Sequence, residues 1–145
     1  MEKTVIKEFL KHIQLFKGLN DSQLEAICEK VSVENFPVNS MVFNENNIRQ
    51  NLFLIYEGEV ELFKRTPYGG EKRLSIFSKY DFIGEGALMD DSPHSTSARA
   101  TINSVIVTLS RDNFKELMKE QNETALAILS SIGRVISRRM SASNT

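Results

Sequence analysis

The sequence predicts an α+β chain that is mainly β, with a closed antiparallel sheet set between N-terminal and C-terminal helices. Two observations carry this. Apolar residues recur every three or four positions up to about residue 31, every second position from about 32 to 110, and every three or four again towards residue 140. Within the middle stretch, "GEVELF" places Val60 and Leu62 on an apolar face and Glu59 and Glu61 on a wet one, and "PYGG" at 67–70 carries the glycines of a hairpin.

The elements follow in order. Val5, Ile6, Phe9, Leu10, Ile13 and Phe16 space out an amphipathic helix over residues 2–16. A second helix spans 21–31, with Leu24, Ile27, Cys28 and Val31 inward, Asn20 or Ser22 as its cap, and Glu25 placed for a capping box with Ser22. "SVENF", "SMVF", "NLFLIYEGEVELFK", "KRLSIF", "TSARAT" and "SVIVTL" are β-branched or aromatic runs between turn residues, which fits a sandwich, roll or barrel. Ser110 caps "SRDNFKELMKEQ", and Asn122 opens a longer helix with Ala125, Ile128, Leu129, Ile132, Val135, Ile136 and Met140 on one stripe. Gly133, beside Ser130, Ser131 and Ser137, points to close approach of another surface, this chain's own sheet or a second subunit.

With 145 residues the chain suits one domain, 1–145, large enough to bury about two thirds of its unfolded surface. Its 19 acidic and 18 basic residues nearly cancel, so no broad field draws in nucleic acid or an anionic membrane. Cys28 is the only cysteine, which excludes an internal disulfide and a thiolate metal cage and points to a cytoplasmic protein. No apolar run reaches membrane-spanning length.

Several chemistries lack their residues. His12 and His94 are the only histidines and lie on different elements, too few for a metal centre gathered on imidazoles. No nucleophile elbow, no phosphate loop and no complete dinucleotide fingerprint is present, so no enzyme is expected. Arg134, Arg138 and Arg139 match the C-terminal end of a helix dipole without invoking nucleic acid.

What remains is "FIGEGALMDDSPHSTSARA", a turn of small residues with one carboxylate and one histidine between two apolar runs. With "LFLIYEGEVELF" before it and "LSRDNFKELM" after it, from about Phe16 to Met140, the chain resembles the cyclic-nucleotide-binding domains of catabolite activators, protein kinase A regulatory subunits and nucleotide-gated channels. The resemblance implies an eight-stranded antiparallel β-roll of the jelly-roll kind over 32–110, flanked by helices at 1–31 and 111–145, with a phosphate-binding cassette at 84–97. In that cassette a helical turn near Gly86 would aim the amides of Gly86, Ala87 and Leu88 at the phosphate. Gly84 and the other small residues would let the anion approach the backbone, Glu85 would accept from the ribose 2′-hydroxyl, and Ser95 would donate to the phosphate. Leu88 and Met89 also suit the core.

The implied function is a non-catalytic regulatory domain that binds a cyclic nucleotide, cAMP before cGMP, and transmits occupancy through its last helix. That helix, 122–140, would also serve a homodimer, and Ser143 and Asn144 would lie near the base. Short of any helix-turn-helix at Thr145, the chain is not expected to bind nucleic acid directly. One departure counts against a working pocket: His94 stands where the family has the arginine that pairs with the phosphate. Losing such a partner costs about 2–5 kcal/mol, which leaves a degenerate module acting through protein contacts as the alternative. A phosphate that protonated His94 would make affinity rise as pH falls from about 7 to 6. Arg99, on the opposite face of its strand, is expected in solvent. Asn46, Arg49 and Tyr80 occupy positions where relatives often have glycine, so the turns at Arg49 and Tyr80 are expected to be rebuilt.

Overall fold

Helical and sheet residues segregate into two units in the computed structural model, one formed by Met1–Lys30 with the chain from Asp112 on, the other by Val31–Arg111. Backbone is described for residues 1–143 and side chains up to residue 138. The side chains of Arg139, Met140 and Ser143, and Asn144 altogether, lie outside the described residues.

The helical unit begins with α1 (Lys3–Leu10), a 3₁₀ turn at Gln14–Phe16 and α2 (Asp21–Cys28). The helix expected over 2–16 therefore breaks after Leu10, which lets Ile13, Leu15 and Phe16 all be buried while Val5 stays exposed. The cap of α2 is Asn20, whose Oδ1 accepts from the Gln23 amide at 2.8 Å while Gln23 Oε1 accepts from the Asn20 amide at 2.9 Å. The box is thus Asn20 with Gln23, not Ser22 with Glu25; Glu25 instead accepts from Lys7 Nζ at 2.9 Å. Cys28 is buried, and burial pushes its thiol pKa up, as befits a packing residue.

α3 (Arg111–Glu120) and α4 (Asn122–Ser143) complete the unit. Lys30 Nζ bridges Glu116 and Glu120 of α3 at 3.2 and 3.0 Å, and Asn113 Nδ2 donates to the Lys30 carbonyl. Ala125, Ile128, Ile132 and Val135 of α4 are buried as the stripe predicts. Leu126, Ser130, Gly133 and Ser137 form an exposed face, and a Cβ added at Gly133 would meet no heavy atom within 4 Å among the described residues.

The sheet unit contains β1 (Val31–Phe36), β2 (Met41–Phe43), β3 (Asn51–Glu57), β4 (Glu59–Arg65), β5 (Glu71–Ser78), β6 (Phe82–Ile83), β7 (Ser97–Ala100) and β8 (Ser104–Ser110). They form two antiparallel sheets of four, in the orders β1-β8-β3-β6 and β2-β7-β4-β5. Phe53, Ile55, Val60, Ile83, Ala98 and Ile106 make the core, with Phe36, Val42, Phe43, Leu62 and Phe77 packed against it. The β4–β5 hairpin closes where "PYGG" predicts, the Thr66 amide donating to the Gly70 carbonyl at 2.8 Å.

Three expectations fail in the sheet unit. Glu61 is not on a wet face: it is 7% exposed, because its register partner Arg99 and the neighbouring Arg73 both close on it. Arg99 accordingly points neither to the interior nor freely into solvent; it pairs with Glu61 and Glu71 and lies over the Phe63 ring at 4.4 Å. Tyr80 keeps the left-handed backbone, at φ 75°, instead of rebuilding the turn, whereas Arg49 is outside that region. The Lys79 ammonium over the Tyr56 and Tyr80 rings, at 4.9 and 5.3 Å, offsets part of the about 1–2 kcal/mol that such a backbone costs.

Candidate functional site

Segment 84–97 starts where β6 leaves β3, with Phe53 opposite Ile83. Gly84 turns the chain in the left-handed region, at φ 74°, and a 3₁₀ turn follows over Glu85–Leu88. Ala87 and Leu88 are buried, Gly84, Glu85 and Gly86 are half-buried, and Met89 is exposed and not in the core. So short a turn closes on i→i+3 bonds. The Ala87 amide donates to the Gly84 carbonyl at 3.1 Å, so it is spent inside the turn instead of facing outward.

The returning arm pairs with the loop between β2 and β3. Asn46 donates to the His94 carbonyl and His94 to the Asn47 carbonyl, both at 2.8 Å, Ile48 bridges Pro93, and the Arg49 amide donates to the Ser92 carbonyl at 3.2 Å. This is a short antiparallel ladder. Beyond it Ser95 is exposed, while Ser97 is fully buried and its Oγ accepts from the Glu45 amide at 2.9 Å, a structural tie.

A cavity of about 560 Å³ opens beside the ladder, lined by Phe43, Phe53, His94 and the amide residues Asn44, Asn46, Asn47, Gln50 and Asn51, among others. That volume falls in the range of small-molecule sites. His94 is 7% exposed and its ring lies parallel on Phe43, centroids 3.9 Å apart and planes within 9°; Phe43 stacks in turn on Phe53 at 5.7 Å.

Burial, and then the charge of Arg49, lower the His94 pKa to about 4. An imidazole ready to protonate between pH 7 and 6 is thus not what the fold holds. The consequence for stability has a definite sign. Unfolded His94 takes its proton below about pH 6.5 while the folded ring refuses it until about pH 4, so stability falls as pH drops between them, by about 1.4 kcal/mol per unit. Denaturant melts across that window should show this loss in the unmodified chain and lack it in His94→Phe, which keeps the stack. Equal slopes in the two proteins would show that His94 is not the group responsible.

The comparisons with known proteins agree with this geometry. A family model, "Cyclic nucleotide-binding domain", matches residues 33–121. The chain belongs to this family. It is 28% identical over 137 residues to a CRP-like cAMP-activated global transcriptional regulator of Mycobacterium tuberculosis, covering 94% of this chain and 59% of the regulator. It is 28% identical over 116 residues to a cAMP-dependent protein kinase regulatory subunit of Emericella nidulans, covering 80% of this chain and 27% of the subunit. The chain thus spans about 59% and 27% of the length of these relatives. Among solved structures, the N-terminal domain of a transcriptional regulator from Streptomyces coelicolor superposes with a TM-score of 0.82 at 24% identity, covering 92% of this chain and 94% of that one. A cyclic nucleotide-binding domain from Methylobacillus flagellatus gives 0.83 at 23% identity, covering 97% and 79%. These likenesses establish the β-roll. Both curated relatives are regulatory proteins by name.

In this cyclic nucleotide-binding fold, one residue outside the sequence-predicted set ties the site together. Arg111, where β8 passes into α3, donates through Nε to the Ala87 carbonyl at 2.8 Å and through Nη2 to the Asp90 carbonyl at 2.7 Å and to the Arg49 carbonyl. A planar guanidinium with five donors can clip three carbonyls at once, which a lysine cannot. It binds the 85–90 turn to the loop between β2 and β3, so Gly84, Glu85, Gly86, Ala87 and Leu88 are held beside the arm that carries His94 and Ser95. "LSRDNF" contained this residue, and the amide-rich "NENNIRQN" contained the cavity wall; only the pairing of distant segments gives either its role. Among the described residues, no cluster of His, Cys, Asp or Glu could hold a metal ion, and no helix is long and apolar enough to cross a membrane.

Proposed function

We propose that the chain, 1–145, acts as one non-catalytic regulatory domain that binds a cyclic nucleotide, cAMP before cGMP, and transmits its occupancy through α4. The observation that carries this reading is the tight turn of Gly84, Glu85, Gly86 and Ala87, pinned by Arg111 beside a cavity of nucleotide size. The cAMP named in both curated relatives supports that nucleotide as the ligand. In this reading Glu85 takes the ribose hydroxyl and Ser95, exposed next to His94, reaches the phosphate. The open face of α4 at Leu126, Ser130, Gly133 and Ser137 supports a homodimer through that helix. The setting is cytoplasmic, with neither membrane nor direct nucleic acid contact.

One observation favours a second reading. His94 is buried, neutral and stacked on Phe43, so it offers no charge to a phosphate, and a degenerate domain acting through protein contacts would look the same. Calorimetric titration with cAMP and cGMP at pH 6.0 and 7.5, on the unmodified chain and on His94→Arg, separates the two. Micromolar binding by the unmodified chain is the outcome expected of a working sensor. Binding that appears only after His94→Arg would leave the degenerate module.

A further inference from the structure

Building on the cyclic nucleotide reading, we infer that Arg49, on the loop between β2 and β3, is the cationic partner of the ligand's phosphate in this chain. The ladder between residues 46–49 and 92–94 brings this loop against the segment that holds the turn. There the Arg49 guanidinium lies on Gly86: a Cβ at that position would stand 2.3 Å from Arg49 Nη1 and 2.8 Å from Cζ. Gly86 thus makes room for a side chain of the chain itself. Any larger residue would push the guanidinium off the turn.

The other charges near the site are committed elsewhere. Arg111 spends its fork on three carbonyls. Arg73 and Arg99 are held by Glu61, and Arg65 lies over the Phe63 ring, 5.4 Å from its centroid. Arg49 has one ion pair among the described residues, with Oδ1 of the half-exposed Asp90 at 3.5 Å, longer than a good charge-assisted hydrogen bond. Its side chain is 28% exposed, open enough to reach a ligand and buried enough to be positioned. Arg49 and His94, two positions at which the chain departs from the family pattern, sit on the two arms of one ladder. The charge has changed arms: a guanidinium on the loop stands in for one on the segment 84–97, and its field helps keep the neighbouring imidazole neutral.

A guanidinium does not titrate in the physiological range, so this assignment predicts cAMP affinity that is flat from pH 6.0 to 8.0; Asp90, whose carboxyl is held below its ordinary range mainly by hydrogen bonds from Ser92, does not titrate there either. Calorimetry with cAMP should show at least a roughly 30-fold loss in Arg49→Ala and in Arg49→Gln, which keeps a polar side chain without the charge, with Arg49→Lys in between. Circular dichroism melts would confirm that each variant is folded; the clip from Arg111 uses the Arg49 carbonyl and survives these changes. The double exchange Arg49→Gly with His94→Arg, which moves the charge back across the ladder, should restore most of the affinity.

Two results would overturn the assignment and leave the sensor reading intact: folded Arg49 variants that bind cAMP as tightly as the unmodified chain, or an unmodified chain whose affinity rises several-fold from pH 8.0 to 6.0, which would return the phosphate to His94. An unmodified chain that takes up neither cAMP nor cGMP would remove the sensor reading and this assignment together.

Discussion

Gly58→Ala is expected to destabilise the sheet unit by about 3 kcal/mol or more, enough to leave much of the chain unfolded at modest temperature. Gly58 joins β3 to β4 at φ 108°, a region that a side chain enters only with strain. The space is also taken. An added Cβ would lie 2.1 Å from Ser104 Oγ and 2.7 Å from Ser104 Cα. Ser104 cannot retreat, because its Oγ donates to the Ile102 carbonyl at 2.8 Å and accepts from the Glu59 amide at 3.1 Å, and its backbone is in register with Phe36. Gly69→Ala is the control. Gly69 also has positive φ, at 85°, but nothing lies within 4 Å of its missing Cβ, so only the backbone strain of about 1 kcal/mol remains. Denaturant midpoints of the two variants should differ widely at similar slope; equal midpoints would mean that the contact with Ser104 is relieved at no cost.

Local pattern carried most of the architecture. The change of period near residue 32 marks the entry to β1, "PYGG" marks the β4–β5 hairpin, and Asn46 tolerates its left-handed turn because a short amide side chain does. Failures cluster where a residue's state depends on a distant partner. Alternation in β4 reads Glu61 as solvated, yet the register that sets it opposite Arg99 buries it in an ion pair. The helix expected over 2–16 is broken after Leu10 because Ile13, Leu15 and Phe16 cannot all reach the interior of the helical unit from one continuous helix. The same holds at the site. "GEGA" is legible as a tight turn of small residues, but that Gly86 leaves room for Arg49, and that Arg111 clips the turn to the loop, follows from tertiary pairing alone. His94 is legible as a missing charge, and its stack on Phe43 is not.

The second large effect belongs to the ion-pair group on β4. Arg99→Ala is expected to cost about 2–4 kcal/mol, less than a fully orphaned buried charge because Arg73 stays with Glu61. It removes the hydrogen bonds from Arg99 Nε to Glu61 at 3.0 Å and from Arg99 Nη2 to Glu71 at 2.8 Å, together with the stacking on Phe63. Replacing both charges, Glu61→Met with Arg99→Met, should come within about 1 kcal/mol of the unmodified chain, since apolar residues of similar volume avoid the desolvation that the ions suffer. A double variant less stable than Arg99→Ala alone would refute this account. The pH dependence supplies a second check. Hydrogen bonds from Arg73, more than those from Arg99, hold the Glu61 carboxyl below its ordinary range against the opposing effect of burial. A depressed carboxylate contributes its full stabilisation above the unfolded pKa, about 4.3, and loses it as pH falls through the folded value. The penalty of Arg99→Ala should therefore shrink below about pH 4, underneath the window from 6.5 to about 4 in which His94 acts, so a single acid titration of stability resolves the two groups in sequence.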